Sequence, residues 1–77
     1  MRALLHFLFI DGDHTYPGVK RDAQLWLPKL LVGGLVVFDD ATHAGCGVPQ
    51  VVEEVKETGD YETVEATGTM AAFRRVR

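Results

Sequence analysis

The run Leu4-Leu5-His6-Phe7-Leu8-Phe9-Ile10-Asp11-Gly12-Asp13-His14 decides the fold. From Leu4 to Ile10 it is apolar apart from His6, and it stops at Asp11-Gly12-Asp13, the pattern of a strand buried on both faces. Strands of that kind belong to parallel sheets, which need a crossover helix to bring the chain back. Downstream, Val19, Ala23, Trp26, Leu27, Leu30 and Leu31 recur at three- and four-residue spacings, predicting a helix over about 17–31 with an apolar stripe. Pro17 suits its first turn. Pro28 removes a helical hydrogen bond and predicts a kink or early end, and Gly33-Gly34 is read as the helix stop. Leu35 to Phe38 then reads as a second short strand, closed by Asp39-Asp40. Strand, helix and strand make a right-handed βαβ unit.

Working outward, Ala41 to Gly47 is a Gly-rich loop holding His43 and Cys46, and Pro49 opens a helix through Val51, Val52 and Val55 to Gly59. Tyr61 to Ala66 and Met70 to Val76 read as two strands joined by a tight turn at Thr67-Gly68. The fold class is therefore α/β, with two parallel strands, an antiparallel C-terminal hairpin and two helices. Residues 1–77 are expected to form a single partial domain, because 77 residues is about half of a typical one.

Composition narrows the function. With 47% hydrophobic and 25% charged residues the chain has the make-up of a folded globular domain. A formal charge of -3 provides no broad basic field, so nucleic acid is not an expected partner, and Arg74, Arg75 and Arg77 read as a solvated strand end. No apolar run approaches the roughly 20 residues that span a bilayer, so no membrane partner is expected. Arg2 followed by an apolar run imitates a signal peptide, but His6 and the Asp-Gly-Asp ending do not fit one. Cys46 is the single cysteine, which rules out an internal disulfide and leads to a cytoplasmic expectation. A core this small, below roughly 80 residues, ordinarily needs a metal or a second subunit for support.

In an open parallel sheet, ligands bind outside the carboxyl ends of the strands, where both acidic clusters fall. Strands lie about 4.8 Å apart, so Asp11 and Asp39 or Asp40 are placed to share a hard cation through oxygen ligands. Such a donor set suits magnesium, manganese or calcium better than zinc. The competing reading is that the aspartates end strands and cap the next helix, with Asp13 and Thr15 as the cappers. His14 follows Asp11 by three residues and is a candidate base for a hydroxyl acidified by a metal, against the plainer reading of a solvated or capping side chain. His6 reads as structural, and Trp26 reads as core.

These residues resemble a family. Phe9-Ile10-Asp11-Gly12-Asp13-His14-Thr15-Tyr16, Val19-Lys20-Arg21-Asp22, Leu25-Trp26-Leu27-Pro28, Gly33-Gly34-Leu35-Val36-Val37-Phe38-Asp39-Asp40 and Gly47-Val48-Pro49-Gln50-Val51-Val52-Glu53-Glu54 together resemble class I S-adenosylmethionine-dependent methyltransferases of the metal-dependent small-molecule type. The resemblance implies a partial Rossmann-like methyltransferase sheet in which this chain supplies strands 4-5-7-6, the C-terminal half of the fold. It implies metal ligands at Asp11, Asp39 and Asp40, holding a divalent metal such as Mg, and a catalytic base at His14. The implied reaction transfers a methyl group from S-adenosylmethionine to the hydroxyl of a small molecule. No Gly-x-Gly-x-Gly loop occurs in the sequence, so the isolated chain is expected to be inactive.

Two other readings stand beside it. Asp11-x-Asp13-x-Thr15 after an apolar strand also looks like the first motif of haloacid dehalogenase-like phosphatases, although only 23 residues separate Thr15 from Asp39. The non-enzymatic reading is a truncated, oligomeric fragment. In the complete methyltransferase fold that the resemblance implies, Leu4 to Ile10 is an interior strand, so its unprotected apolar edge here predicts a homodimer in which that strand pairs antiparallel with its own copy.

Overall fold

The computed structural model describes residues 5–10, 15–41, 45–64 and 68–77. The elements run β1 (Leu5–Ile10), α1 (Tyr16–Trp26), a 3-10 turn (Leu27–Lys29), β2 (Leu30–Phe38), α2 (Val48–Glu57), β3 (Tyr61–Val64) and β4 (Ala71–Arg75). They form one four-stranded sheet in the order β1-β2-β4-β3. β1 and β2 are parallel, while β4 runs antiparallel to both β2 and β3. This is the α/β arrangement, and the strand order, that the sequence implies.

α1 starts where Thr15 takes an extended conformation and its side chain accepts from the Gly18 N–H at 3.3 Å, with Pro17 in the first turn. It ends earlier than its apolar spacing suggests. Pro28 has no N–H and its ring crowds the carbonyl one turn back, so the α-helix stops at Trp26 and tightens into the 3-10 turn. Leu30 and Leu31 consequently belong to β2, and Leu30 is fully buried there.

Gly33-Gly34 is not the helix stop but an irregularity inside β2. Leu5 pairs with Leu30 and Phe7 with Leu35, so β2 carries extra residues between two nearly adjacent positions of β1. Gly33 supplies the left-handed backbone for that bulge, with φ of 90°.

Both helices cover the same sheet face. Ile10, Val36, Phe38 and Phe73 from the strands pack with Val19 and Ala23 of α1 and Val51, Val52 and Val55 of α2 in one core. Phe38 and Phe73 meet edge to face, with ring centroids 6.2 Å apart. Because strand side chains alternate, Phe7 and Phe9 project from the other face, beside their partners Leu35 and Val37. They are 56% and 47% exposed, so β1 is buried on one face rather than two. Trp26 also departs from its reading as core. It is 39% exposed and lies under the Lys29 ammonium, which sits 4.3 Å from the ring centroid. His6 is exposed as well.

Arg74 and Arg77 are exposed, as expected of a solvated strand end, while Arg75 is half-buried and ties the end to the sheet. The Arg75 guanidinium donates to the Leu30 carbonyl and to the Arg77 carbonyl, and Arg77 donates to the Gly59 carbonyl at 2.7 Å. No helix among the described residues is long and apolar enough to cross a membrane.

Candidate functional site

Parallel pairing of β1 with β2 brings both strand ends to one pole of the sheet. There the Asp39 N–H donates to the Ile10 carbonyl at 3.2 Å, so Asp39 is bonded to the residue that directly precedes Asp11 in the chain. Asp11 and His14 themselves lie outside the described residues, as do Asp13 and His43.

Asp39 and Asp40 are both half-buried. Oδ1 of Asp39 accepts from the Asp40 N–H at 2.9 Å and from the Thr69 hydroxyl at 3.2 Å. Both of these hydrogen bonds fall on one oxygen, and neither uses Oδ2. Asp40 sits in the left-handed region at φ of 58°, uncommon for a residue with a Cβ and most tolerable for Asn and Asp. Its carbonyl accepts a weak contact from the Cys46 thiol at 3.6 Å, and the next residue, Ala41, donates its N–H to the Thr69 carbonyl at 2.7 Å.

The donor chemistry here is hard oxygen, which fits magnesium, manganese or calcium in kind. Among the described residues no group of three or more His, Cys, Asp or Glu side chains is arranged to hold a metal ion. Of the proposed ligands, Asp39 and Asp40 are adjacent on one strand end, and Asp11 follows the residue to which Asp39 is bonded.

A second polar cluster, not evident in the sequence, ties the helices together beside this pole. Glu54 of α2 accepts from the Tyr16 hydroxyl at 2.6 Å and from the Lys20 ammonium at 2.5 Å. The Glu54 carboxyl is held below its ordinary range, first by the Lys20 hydrogen bond and then by that of Tyr16. Tyr16 and Lys20 are both shifted upward, each chiefly by its hydrogen bond to Glu54. Tyr16 is also pinned through its backbone. A Cβ on Gly47, the residue before α2, would fall on the Tyr16 backbone N and Cα, so the two segments pass in direct contact. Tyr16 and Lys20 are one helical turn apart, a visible spacing. Their distant partner Glu54 and the Thr69 hydroxyl have no local signature.

Open hollows also occur among the described residues. One of about 450 Å³ runs along β1 between Phe7, Phe9, Asp22 and Trp26. Another, about 430 Å³, lies between Lys20, Gln24, Leu27, Tyr61 and Arg75. Arg75 is bonded to Leu30 at the start of β2, so this second hollow reaches the sheet end opposite Asp39. Burial there raises the Tyr61 phenol above its ordinary value.

Comparisons with known proteins agree with the geometry. The structure of the O-methyltransferase NovP superposes with a TM-score of 0.78 and 27% sequence identity, over 95% of this chain and 30% of that one. "Uncharacterized protein R132" of Acanthamoeba polyphaga mimivirus is 47% identical over 36 residues, which are 47% of this chain and 16% of the viral protein. The chain thus spans less than a third of the length of either relative. Residues 2–41, just over half of the sequence, match the family described as a methyltransferase domain. A methyltransferase-family match anchored on β1, α1 and β2, together with a shared fold across nearly the whole chain, means that the chain belongs to the methyltransferase domain family.

Proposed function

We propose that these residues form the acceptor and metal-binding side of an S-adenosylmethionine-dependent O-methyltransferase, the C-terminal half of that fold, acting on a small-molecule hydroxyl. Asp11, Asp39 and Asp40 would hold a divalent cation such as magnesium, and His14 would serve as the base. The observation that carries the reading is the Asp39 to Ile10 hydrogen bond, which joins the two acidic strand ends at the carboxyl pole of a parallel pair.

A bound divalent cation supplies Lewis acidity to a chelated hydroxyl. The residues of the chain do the rest. Asp39, with Oδ1 held by two donors, would offer Oδ2 to the cation, and Asp40 follows it on a left-handed backbone. His14 would take the proton of the acceptor hydroxyl. When bound, the donor would supply its sulfonium methyl to the acceptor oxygen in an in-line displacement, with a neutral thioether as the leaving group. Cys46, the single thiol, is compatible with a reducing, cytoplasmic setting.

The sequence holds no Gly-x-Gly-x-Gly turn for the donor. The isolated 77-residue polypeptide is therefore expected to give no binding heat with S-adenosylmethionine in titration calorimetry and no methyl transfer to polyol or phenol acceptors. Tight one-to-one donor binding would overturn this division of labour. The same calorimeter tests the metal side, where magnesium heats should vanish in Asp39→Asn.

A homodimer is a second reading, favoured by one observation. β1 is an edge strand, Phe7, Phe9 and Trp26 are exposed in an open hollow along it, and the strand has no proline or lysine to deter pairing. A second copy laid antiparallel along β1 would extend the sheet to eight strands and enlarge the small core.

A further inference from the structure

Thr69 lies in the turn before β4, thirty residues from Asp39 in sequence, and contacts the chain on both sides of Asp40. Its hydroxyl donates to Oδ1 of Asp39, and its carbonyl accepts from the N–H of Ala41. Between these two anchors Asp40 holds its left-handed backbone. A non-glycine residue in that region persists where the surroundings over-determine it, and such residues gather at functional sites.

We infer, resting on the metal reading above, that Thr69 is a positioning residue for the Asp39 and Asp40 ligands. A carboxylate free to rotate loses conformational entropy when it binds a cation, whereas one already fixed by outer hydrogen bonds loses less. The Thr69 hydroxyl and the Asp40 N–H both donate to Oδ1, which restrains the carboxylate and keeps both bonds off Oδ2, the oxygen assigned to the cation. The hairpin thereby serves the site at the ends of β1 and β2 although neither of its own strands carries a ligand. The Ala41 contact uses the Thr69 main chain, so side-chain substitutions leave that anchor in place.

The test is manganese affinity, read as loss of the free-ion electron paramagnetic resonance signal during titration of the whole chain. Wild type, Asp39→Asn, Thr69→Val and Thr69→Ser are compared, with urea midpoints recorded for each. Asp39→Asn should abolish binding. Thr69→Val keeps the shape but loses the donor and should weaken binding about tenfold, the lower end for loss of an outer hydrogen bond to a metal ligand. Thr69→Ser restores the hydroxyl and should stay close to wild type, with urea midpoints of both Thr69 variants unchanged. Wild-type affinity in Thr69→Val, or equal loss in Thr69→Ser and Thr69→Val, would defeat the role of Thr69 while Asp39→Asn still showed the metal site to be real. Wild type and Asp39→Asn binding alike would remove the metal reading and this inference together.

Discussion

The Tyr16 hydroxyl donates a 2.6 Å hydrogen bond to Oε2 of Glu54, joining the first turn of α1 to α2 across 38 residues of sequence. Lys20, one turn further along α1, occupies the other oxygen of the same carboxylate. The two bonds together tie the start of α1 to α2.

The cluster predicts how stability depends on pH. Glu54 is depressed, so it binds its proton less tightly folded than unfolded. Its contribution is complete above the ordinary carboxylate range and is lost as pH falls through its own lowered value. Tyr16 and Lys20 are raised, so their contributions are complete below their ordinary values and are lost as pH rises through the raised ones. Urea midpoints measured in pH steps should show a neutral plateau falling on both sides, and Glu54→Gln should flatten both limbs. A variant curve that tracks wild type throughout would show that the cluster contributes nothing.

Gly47 makes a sharper steric prediction. Its hypothetical Cβ lands on backbone atoms of Tyr16, not on a flexible side-chain tip. Gly47→Ala must separate α2 from the start of α1 and should cost about 1–3 kcal/mol, as overpacking does. Gly45→Ala has open space around it but a left-handed backbone at φ of 92°, so any loss there comes from strain without a clash. Equilibrium unfolding checks both, and a Gly47→Ala protein as stable as wild type would contradict the close approach.

The dimer reading is tested on the exposed side of β1. Leu8 packs against the core, so a charge there would damage the monomer as well as the edge. Phe7 is 56% exposed, and Phe7→Lys should convert a dimer to a folded monomer with little change in intrinsic stability. Sedimentation velocity at micromolar concentration reads the change directly. A wild-type chain that sediments as a monomer would end the proposal.

Much of this architecture was legible because its signals are local. The apolar run ending at Asp11, the Thr15 cap with Pro17, and the Pro49 to Val55 helix each declare themselves within a few residues, and the strand order followed from the family resemblance. Sequence pattern and structure part where tertiary context decides. Leu30, Leu31 and Gly33-Gly34 keep a helical spacing, but Pro28 ends the helix and the two glycines make a bulge in β2. Trp26 sits on the periodic stripe yet near its exposed end, and Phe7 and Phe9 are bare because both helices choose the other face. At the candidate site Asp39 and Asp40 could be read from their strand-end position. Thr69 and Glu54 could not, since each acts through a contact across 30 or more residues.

The most direct test of the account is where a paramagnetic cation settles on the chain. Manganese titrated into isotopically labelled protein should first broaden the backbone amide signals of Asp39 and Asp40, and with them that of Asp11. If those signals stay sharp while Glu53 and Glu54 on α2 broaden instead, the cation is responding to surface charge and the proposed metal centre is wrong.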